Sequence, residues 1–395
     1  MVTQLPAGFL WGASTAAHQV EGDNVNSDWW VREQQRPPEQ RSGSAVDSYH
    51  RYPEDMRLLA QAGLNAYRFS IEWARIEPAE GQFSLAQLAH YRRMIDTALE
   101  TGLRPVVTLH HFTCPRWFAE HGGWLGERAI PQFERYVERV TAILDGVDWV
   151  CTINEPNMLA MMESLAAAYR SGEFSATVEE GRPPVLPAPD PQVGARLAAA
   201  HHAARAILKS RTGAAVGWTV AAGALTATPG NETMLREVRE VREDFYWRAA
   251  REDDFVGVQA YSSQQVDERG VVPTPPSPDN TLTGAAYRPD ALGAAVRHAW
   301  DVTGGVPILV TENGIATADD ERRIAYTADA LRHLFAAIDD GVDVRGYLHW
   351  SALDNYEWGH WEPTFGLIAV DRETFERVPK PSLAWLGNVA KQGGL

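Results

Sequence analysis

Two short stretches carry a carboxylate where an apolar run ends. Thr152-Ile153-Asn154-Glu155-Pro156 closes one run, and Thr311-Glu312-Asn313-Gly314 closes another. Other reactive groups end further runs. Arg68 and Glu72 fall late in one, His110-His111 close another, and Trp350 leads through Asp354 and Asn355 to Glu357 and Trp358. Two carboxyls with a cation and neutral donors near them are the equipment of acid–base or nucleophilic chemistry, provided that one stays protonated and the other ionised. Each piece also has a plainer reading. Asn-Glu-Pro is a helix start, with Asn capping and Pro in the first turn. Thr-Glu-Asn-Gly is a turn signal. One of the two neighbouring His residues packs in a core, because successive strand residues point to opposite sides. A metal centre does not fit, since no third ligand stands at a usual spacing and His201-His202 lie within a helical stretch.

The elements that must position these groups alternate along the chain. Apolar runs occupy 8–14, 66–73, 104–111, 149–155, 214–223, 254–262, 307–314 and 344–353. Most lack strict alternation, the pattern of parallel strands covered on both faces. Between them the apolar spacing turns helical. Leu85, Leu88, Tyr91, Ile95 and Leu99 precede Gly102; Ile130, Phe133, Val137, Val140 and Leu144 precede Gly146; Ile324, Ala328, Leu331, Phe335 and Ile338 precede Gly341. Glycine after the last periodic residue is a helix stop. Weaker helical patterns cover 192–212, 232–252 and 290–303, and a last helix is predicted over 381–391. Strands alternating with helices along the whole chain predict an α/β protein, a single (βα)8 barrel of one domain spanning 1–395. No G-x-G-x-x-G follows the first run, which argues against a doubly wound nucleotide-binding sheet. The Pro-rich stretches 181–191 and 273–278 read as βα loops. A barrel gathers its chemistry at the C-terminal ends of its strands, and the polar groups named above all stand there.

The chain has 395 residues, 45% of them hydrophobic and 22% charged, which excludes a disordered or fibrous protein. Its net charge of −16 opposes phosphate backbones and anionic lipid headgroups, so neither nucleic acid nor membrane is an expected partner. Cys114 and Cys151 make no disulfide framework. The start, MVTQLPAGFLWGAS, has no basic region followed by a long apolar one, and no window is apolar enough to span a bilayer. A cytoplasmic location is the expectation. Of the 14 Trp residues, Trp149, Trp218, Trp247 and Trp300 are assigned to packing.

Five motifs in order resemble glycoside hydrolase family 1, the retaining β-glucosidase and β-galactosidase family, and the matches span residues 8 to 387. Phe9-Leu10-Trp11-Gly12-Ala13-Ser14 running on to Gly22 resembles the family's opening signature. Arg68-Phe69-Ser70-Ile71 with Trp73 and Arg75-Ile76 resembles its second-strand motif. Thr152–Pro156 is similar to its acid/base motif and Thr311–Gly314 to its nucleophile motif. Trp350-Ser351, Leu353 to Trp358 and Phe365-Gly366-Leu367 resemble its eighth-strand sugar loop.

The resemblance implies a retaining, exo-acting β-glycosidase. Glu312 would attack the anomeric carbon, and Glu155 would protonate the leaving oxygen and then activate water, the two carboxyls lying about 5–5.5 Å apart. Arg68 would hold Glu312 charged, Tyr261 would hydrogen-bond it, and Asn154 would contact the sugar 2-hydroxyl. Gln19, His111, Glu357 and Trp358 would bind hydroxyls, Trp350 would lie under the pyranose face, and Phe365 would complete the sugar site together with Trp361. No cofactor or metal is implied; the partner is a small β-glycoside of glucose, galactose or fucose. Departures from the family pattern are Gln259-Ala260-Tyr261 for Asn-Tyr-Tyr, Phe112 for Trp, and Glu72 for Ser. Pro363, Thr364 and Phe365 stand where phospho-glycosidases hold a 6-phosphate, so an unphosphorylated sugar is expected. Three alternatives remain open. A transglycosidase would deliver the sugar to an alcohol. A non-catalytic sugar binder would have lost a carboxylate. An unrelated barrel acting on phosphorylated metabolites would need a phosphate cradle after its last two strands.

Overall fold

The computed structural model describes residues 4–171 and 185–395. Eight strands close into a barrel: β1 (Leu10–Ser14), β2 (Ala66–Ser70), β3 (Arg104–Thr108), β4 (Trp149–Asn154), β5 (Ala215–Ala221), β6 (Val256–Gln259), β7 (Ile308–Asn313) and β8 (Val344–Trp350). Each pairs in parallel with its neighbour in the sequence, and β8 returns to β1. Each of the eight apolar runs thus contains one strand, almost wholly buried because helices cover the outside and side chains fill the inside. At the floor of the barrel Leu10, Ala66, Val106, Cys151, Phe255, Leu309 and Leu348 form an apolar plug. Polar residues occupy the opposite end, where the strands finish.

The strongest helical patterns became helices. Leu85–Glu100 is capped by Ser84, whose hydroxyl accepts from the Gln87 N–H, and Gly102 beyond it takes a left-handed φ of 84°. Asp320–Asp339 starts at Asp319, which accepts from the N–H groups of Glu321 and Arg322. Ala129–Val140, Pro191–Arg211, Ala291–Thr303 and Pro381–Gln392 complete the set that the periodicity marks.

The 232–252 stretch departs from the single helix expected. It is two helices, Glu232–Arg239 and Phe245–Ala249, joined by a π turn over Glu240–Asp244. Glu243 turns inward there to accept from the Gly223 N–H at 2.8 Å, while the Arg242 carbonyl accepts from Asn157 Nδ2 at 3.0 Å. Those tertiary bonds hold the extra residue in the turn. The helix Ser48–Ala62 buries only a short apolar stripe, Tyr52, Met56 and Leu59, with Pro53 and the charged Asp55 set among it. Its buried Asp55 is held by Arg377 at 2.8 Å instead of by apolar packing.

Residues 185–190 and 273–278 are irregular connections, as expected of βα loops; 181–184 lie outside the described residues. No helix among the described residues is long and apolar enough to cross a membrane.

Candidate active site

Both carboxylates sit where strand pairing is displaced. The register of β7 shifts between Val310 and Glu312 against β6, and that of β4 shifts between Cys151 and Asn154 against β5. Such irregularities re-aim side chains at a barrel rim. Glu155, one residue beyond β4, has a left-handed φ of 44°, uncommon for a residue with a side chain. The helix Pro156–Ser171 begins immediately after it, so the helix-start reading of Asn-Glu-Pro is half right: Pro156 opens the helix, but the Asn154 side-chain oxygen accepts from Arg68, Thr219 and Gln259 instead of from the helix. Gly314 does not serve a turn. A Cβ at that position would collide with the carbonyl oxygen of Trp350, so the glycine lets β7 approach β8.

Glu312 is enclosed by donors. Arg68 Nη1 donates to Oε1 at 2.6 Å, Gln259 Nε2 to the same oxygen at 2.7 Å, and the Tyr261 hydroxyl to Oε2 at 2.6 Å. Arg68 is fully buried. Its Nη2 donates to Asn154 Oδ1 at 2.5 Å and its Nε to Thr108 Oγ1 at 3.0 Å. Asn154 Oδ1 also accepts from Gln259 at 2.9 Å and Thr219 at 3.0 Å, and its Nδ2 lies 3.3 Å from His111 Nε2. Residues from five strand regions therefore fix one carboxylate.

Glu155 has the opposite surroundings. Its carboxyl has no hydrogen-bond partner among the described residues, and its backbone N–H donates to the Thr219 carbonyl at 2.8 Å. Burial pushes the ionisation of Glu155 well above the usual carboxylate range, and the charge of Glu312 pushes it further, against a smaller pull from Arg68. Burial leaves Glu312 raised as well, but the Arg68 charge and the Tyr261 and Arg68 hydrogen bonds oppose that rise, and Glu155 has no hydrogen bond of this kind among the described residues. Two carboxyls that repel each other have thus been given unequal environments, the arrangement that keeps one protonated and the other ionised.

The pair opens into a cavity of about 730 Å³, also lined by Gln19, Asn154, His111, Tyr261, Trp350, Glu357, Trp358 and Phe365. Trp350 Nε1 donates to Glu357 Oε1 at 3.2 Å, and the two Trp rings and the His111 ring lie nearly parallel. Phe365 packs with Trp350 and, edge-on, with Tyr261. Gln19 Oε1 and His111 Nδ1 are buried without a hydrogen-bond partner among the described residues. Burial and then the Arg68 charge push His111 well below its usual range, so it is neutral. Burial raises Glu357 to about 8. The cavity thus brings together every site residue named from the sequence except Arg68, which acts from beneath it, and Trp361.

Trp361 is a correction. Its ring lies under the Arg372 guanidinium, 3.6 Å from its centroid, its Nε1 donates to the Arg41 carbonyl, and it does not line the cavity. Proximity to Trp358 in sequence was a poor guide, because the chain turns away at Gly359 (φ 120°). Trp218 and Trp247 are fully buried and Trp149 and Trp300 partly so, all packed on core clusters. His110 is the packed member of its pair, against Trp124 and Phe133. Gln259, noted only as a departure, proves to touch both Glu312 and Asn154; its pairing with Glu312 across the β6–β7 register explains why. Thr219 is a second group that pattern reasoning missed. Glu72 does not reach the carboxylates: it accepts from Thr113 Oγ1 at 2.7 Å and Ala74 N at 3.1 Å, and burial raises it to about 7. Thr364 is turned away, its hydroxyl donating to the Thr317 carbonyl. No cluster of three or more His, Cys, Asp or Glu suited to a metal occurs among the described residues.

Known proteins share this architecture. The profile described as glycosyl hydrolase family 1 matches residues 1–274 and 241–395. "Thermostable beta-glucosidase B" of Thermobispora bispora is 30% identical, with 99% of this chain and 91% of that protein covered. That alignment runs over 457 positions against 395 residues, so the relative carries segments that this chain lacks. A crystal structure of the β-glycosidase BGL167 superposes with a TM-score of 0.87 at 44% identity, covering 99% of this chain and 98% of that one. The β-glucosidase of Thermotoga maritima in complex with glucoimidazole superposes with a TM-score of 0.87 at 26% identity, covering both chains completely (100% each).

Proposed function

Because the chain belongs to glycosyl hydrolase family 1, and so is a β-glucosidase-like O-glycosyl hydrolase, we propose that it removes one terminal β-linked sugar from an unphosphorylated glycoside by double displacement. Residues 1–395 act as one catalytic domain. The observation that carries the reading is the inequality of the two carboxyls: three donors on Glu312 and, among the described residues, none on Glu155.

Glu312, kept ionised by Arg68, Gln259 and Tyr261, attacks the anomeric carbon while Glu155 gives its proton to the departing oxygen. The C–O bond to the aglycone breaks as the bond to Glu312 forms. Glu155, now ionised, takes a proton from water, which attacks the glycosyl-enzyme and frees Glu312. Burial is the larger reason that Glu155 holds its proton and the charge of Glu312 the next; loss of that charge in the intermediate removes the second, so the same group gives up its proton more readily and turns from acid to base. Asn154, anchored by three donors on its oxygen, presents its amide N–H groups beside the ring. Gln19, His111 and Glu357 receive the remaining hydroxyls, and Trp350 lies against the apolar face of the sugar. Arg68, the cation that touches Glu312, has both arms committed to protein acceptors and so is not itself free to take a sugar phosphate.

A panel of aryl β-glycosides, with the first-formed sugar followed by NMR, tests this. The β-anomer is expected first, with an unphosphorylated glucoside, galactoside or fucoside ranking highest. The α-anomer first, or hydrolysis of 6-phosphorylated substrates alone, would overturn the reading.

A further inference from the structure

Phe112 follows the cavity residue His111 and has a left-handed φ of 66°. The Thr113 N–H donates to the His111 carbonyl at 2.8 Å, so the three residues form a γ-turn of the rare kind that a side chain disfavours. A strained turn persists where its surroundings hold it. Upstream, the His110 carbonyl accepts from the Asn154 N–H at 2.8 Å. Downstream, the Cys114 N–H donates to Asp28 Oδ1 and the Asp28 N–H to the Cys114 carbonyl, both at 2.9 Å. The side chain of the turn itself is held by one bond, from Thr113 Oγ1 to Glu72 Oε2 at 2.7 Å, between two buried residues.

Glu72 is fixed in its turn. It caps the short helix Trp73–Ile76, with Oε1 accepting from the Ala74 N–H at 3.1 Å, and its own N–H donates to the Tyr91 hydroxyl at 3.2 Å. That hydroxyl donates to Glu21, which pairs with Arg75 at 2.8 Å. One carboxyl oxygen thus serves the helix, and the other stands as a rigid acceptor for Thr113. Burying a carboxyl is costly, and a helix cap needs only one of its oxygens; the Thr113 bond is what the second one gains. The effect is felt at the cavity. His111 lies nearly parallel to the Trp350 and Trp358 rings, its Nε2 is 3.3 Å from Asn154 Nδ2, and the Phe112 ring meets both His111 and Trp358 edge-on.

We propose that Glu72 is a positioning residue for sugar binding: through Thr113 it holds the His111–Phe112 turn and so seats the His111 ring against Trp350, Trp358 and Asn154. The inference rests on the glycosidase reading, in which His111 contacts the sugar.

The test is the kinetics of variants on the p-nitrophenyl β-glycoside of the sugar that an aryl panel ranks first, with circular dichroism and Tm to check the fold. Glu72→Ala should raise KM about two- to tenfold, the equivalent of one neutral hydrogen bond. Its kcat should change by less than about twofold, the mark of lost ground-state binding. Thr113→Val cuts the same bond from its other end; it should raise KM as much, and the double variant no more than either alone. Glu72→Gln and Thr113→Ser keep the bond and should keep the wild-type KM. In a His111→Ala background Glu72→Ala should add nothing. A lower Tm with an unchanged KM in Glu72→Ala, or a KM that still rises in the His111→Ala background, would overturn the positioning role and leave the glycosidase reading standing. Should Glu72→Ala not fold, an unchanged KM in Thr113→Val would overturn it equally. A wild-type protein that hydrolyses none of the aryl glycosides would overturn both.

Discussion

Replacing Gln259 by Leu separates the charge state of Glu312 from the presence of its carboxyl. The side chains are of similar size, but Leu removes the amide that donates 2.7 Å to Glu312 Oε1 and 2.9 Å to Asn154 Oδ1. The amide N–H stabilises the carboxylate and not the acid, so its loss raises the pKa of Glu312. A hydrogen bond to a charged acceptor contributes about 1.5–3 kcal/mol, and about 1.4 kcal/mol corresponds to one pKa unit. The expected rise is therefore roughly 1–2 units. The free enzyme's value appears as the acidic limb of the pH profile of kcat/KM. That limb should move upward by about 1–2 units, and a rate measured below the shifted limb should fall about ten- to hundredfold. A p-nitrophenyl β-glycoside assay from pH 4 to 9 reads both, with circular dichroism and Tm checking the fold. An acidic limb that stays at its wild-type position in a folded Q259L enzyme would refute the assignment of Gln259 as a positioning group for the nucleophile.

Three further outcomes are expected. Glu155→Ala should slow glycosides of poor leaving groups far more than those of activated phenols and should erase the basic limb; an equal loss across leaving groups would contradict an acid role. Trp350→Leu should lower kcat/KM roughly ten- to hundredfold, by the apolar contact and the Glu357 bond that it removes; an unchanged value would contradict a platform role. Glu72, raised by burial from 4.5 to about 7, binds its proton more tightly in the folded protein than in the unfolded chain. Its contribution to stability therefore falls as pH rises from 4.5 toward 7. Glu72→Gln keeps the contacts to Thr113 and Ala74 without the ionisation, so the variant should gain on wild type by up to about 3 kcal/mol across that window in denaturant melts. A difference that does not vary with pH would contradict the buried-acid reading.

How far the sequence led depended on the kind of interaction involved. Strands buried on both faces have to be apolar, so all eight were visible as runs, and helices with one apolar stripe were visible as periodicity. The helix Ser48–Ala62 escaped because its inner face mixes the core residues Tyr52, Met56 and Leu59 with Asp55, which pairs with Arg377 far along the chain, and Pro53 interrupts the pattern. The π turn at Glu240–Asp244 escaped for a like reason: Glu243 and the Arg242 carbonyl bond to residues on other elements. At the candidate site, motifs pointed to the groups that line the cavity, whereas the support beneath them depended on strand register. Gln259 and Thr219 meet Glu312 and Asn154 only because β6 and β5 are aligned as they are. Trp361 was misplaced because sequence nearness to Trp358 carries no information about a chain reversal at Gly359.

The most direct test of the account is Glu312→Gly with azide as an added nucleophile. The small residue leaves room for the anion on the face of the sugar that Glu312 would attack. With an activated aryl β-glycoside the variant is expected to lose hydrolysis, and azide to restore turnover with an α-glycosyl azide as product. Wild-type hydrolysis in the variant, or recovery of the β-azide, would show that Glu312 is not the nucleophile.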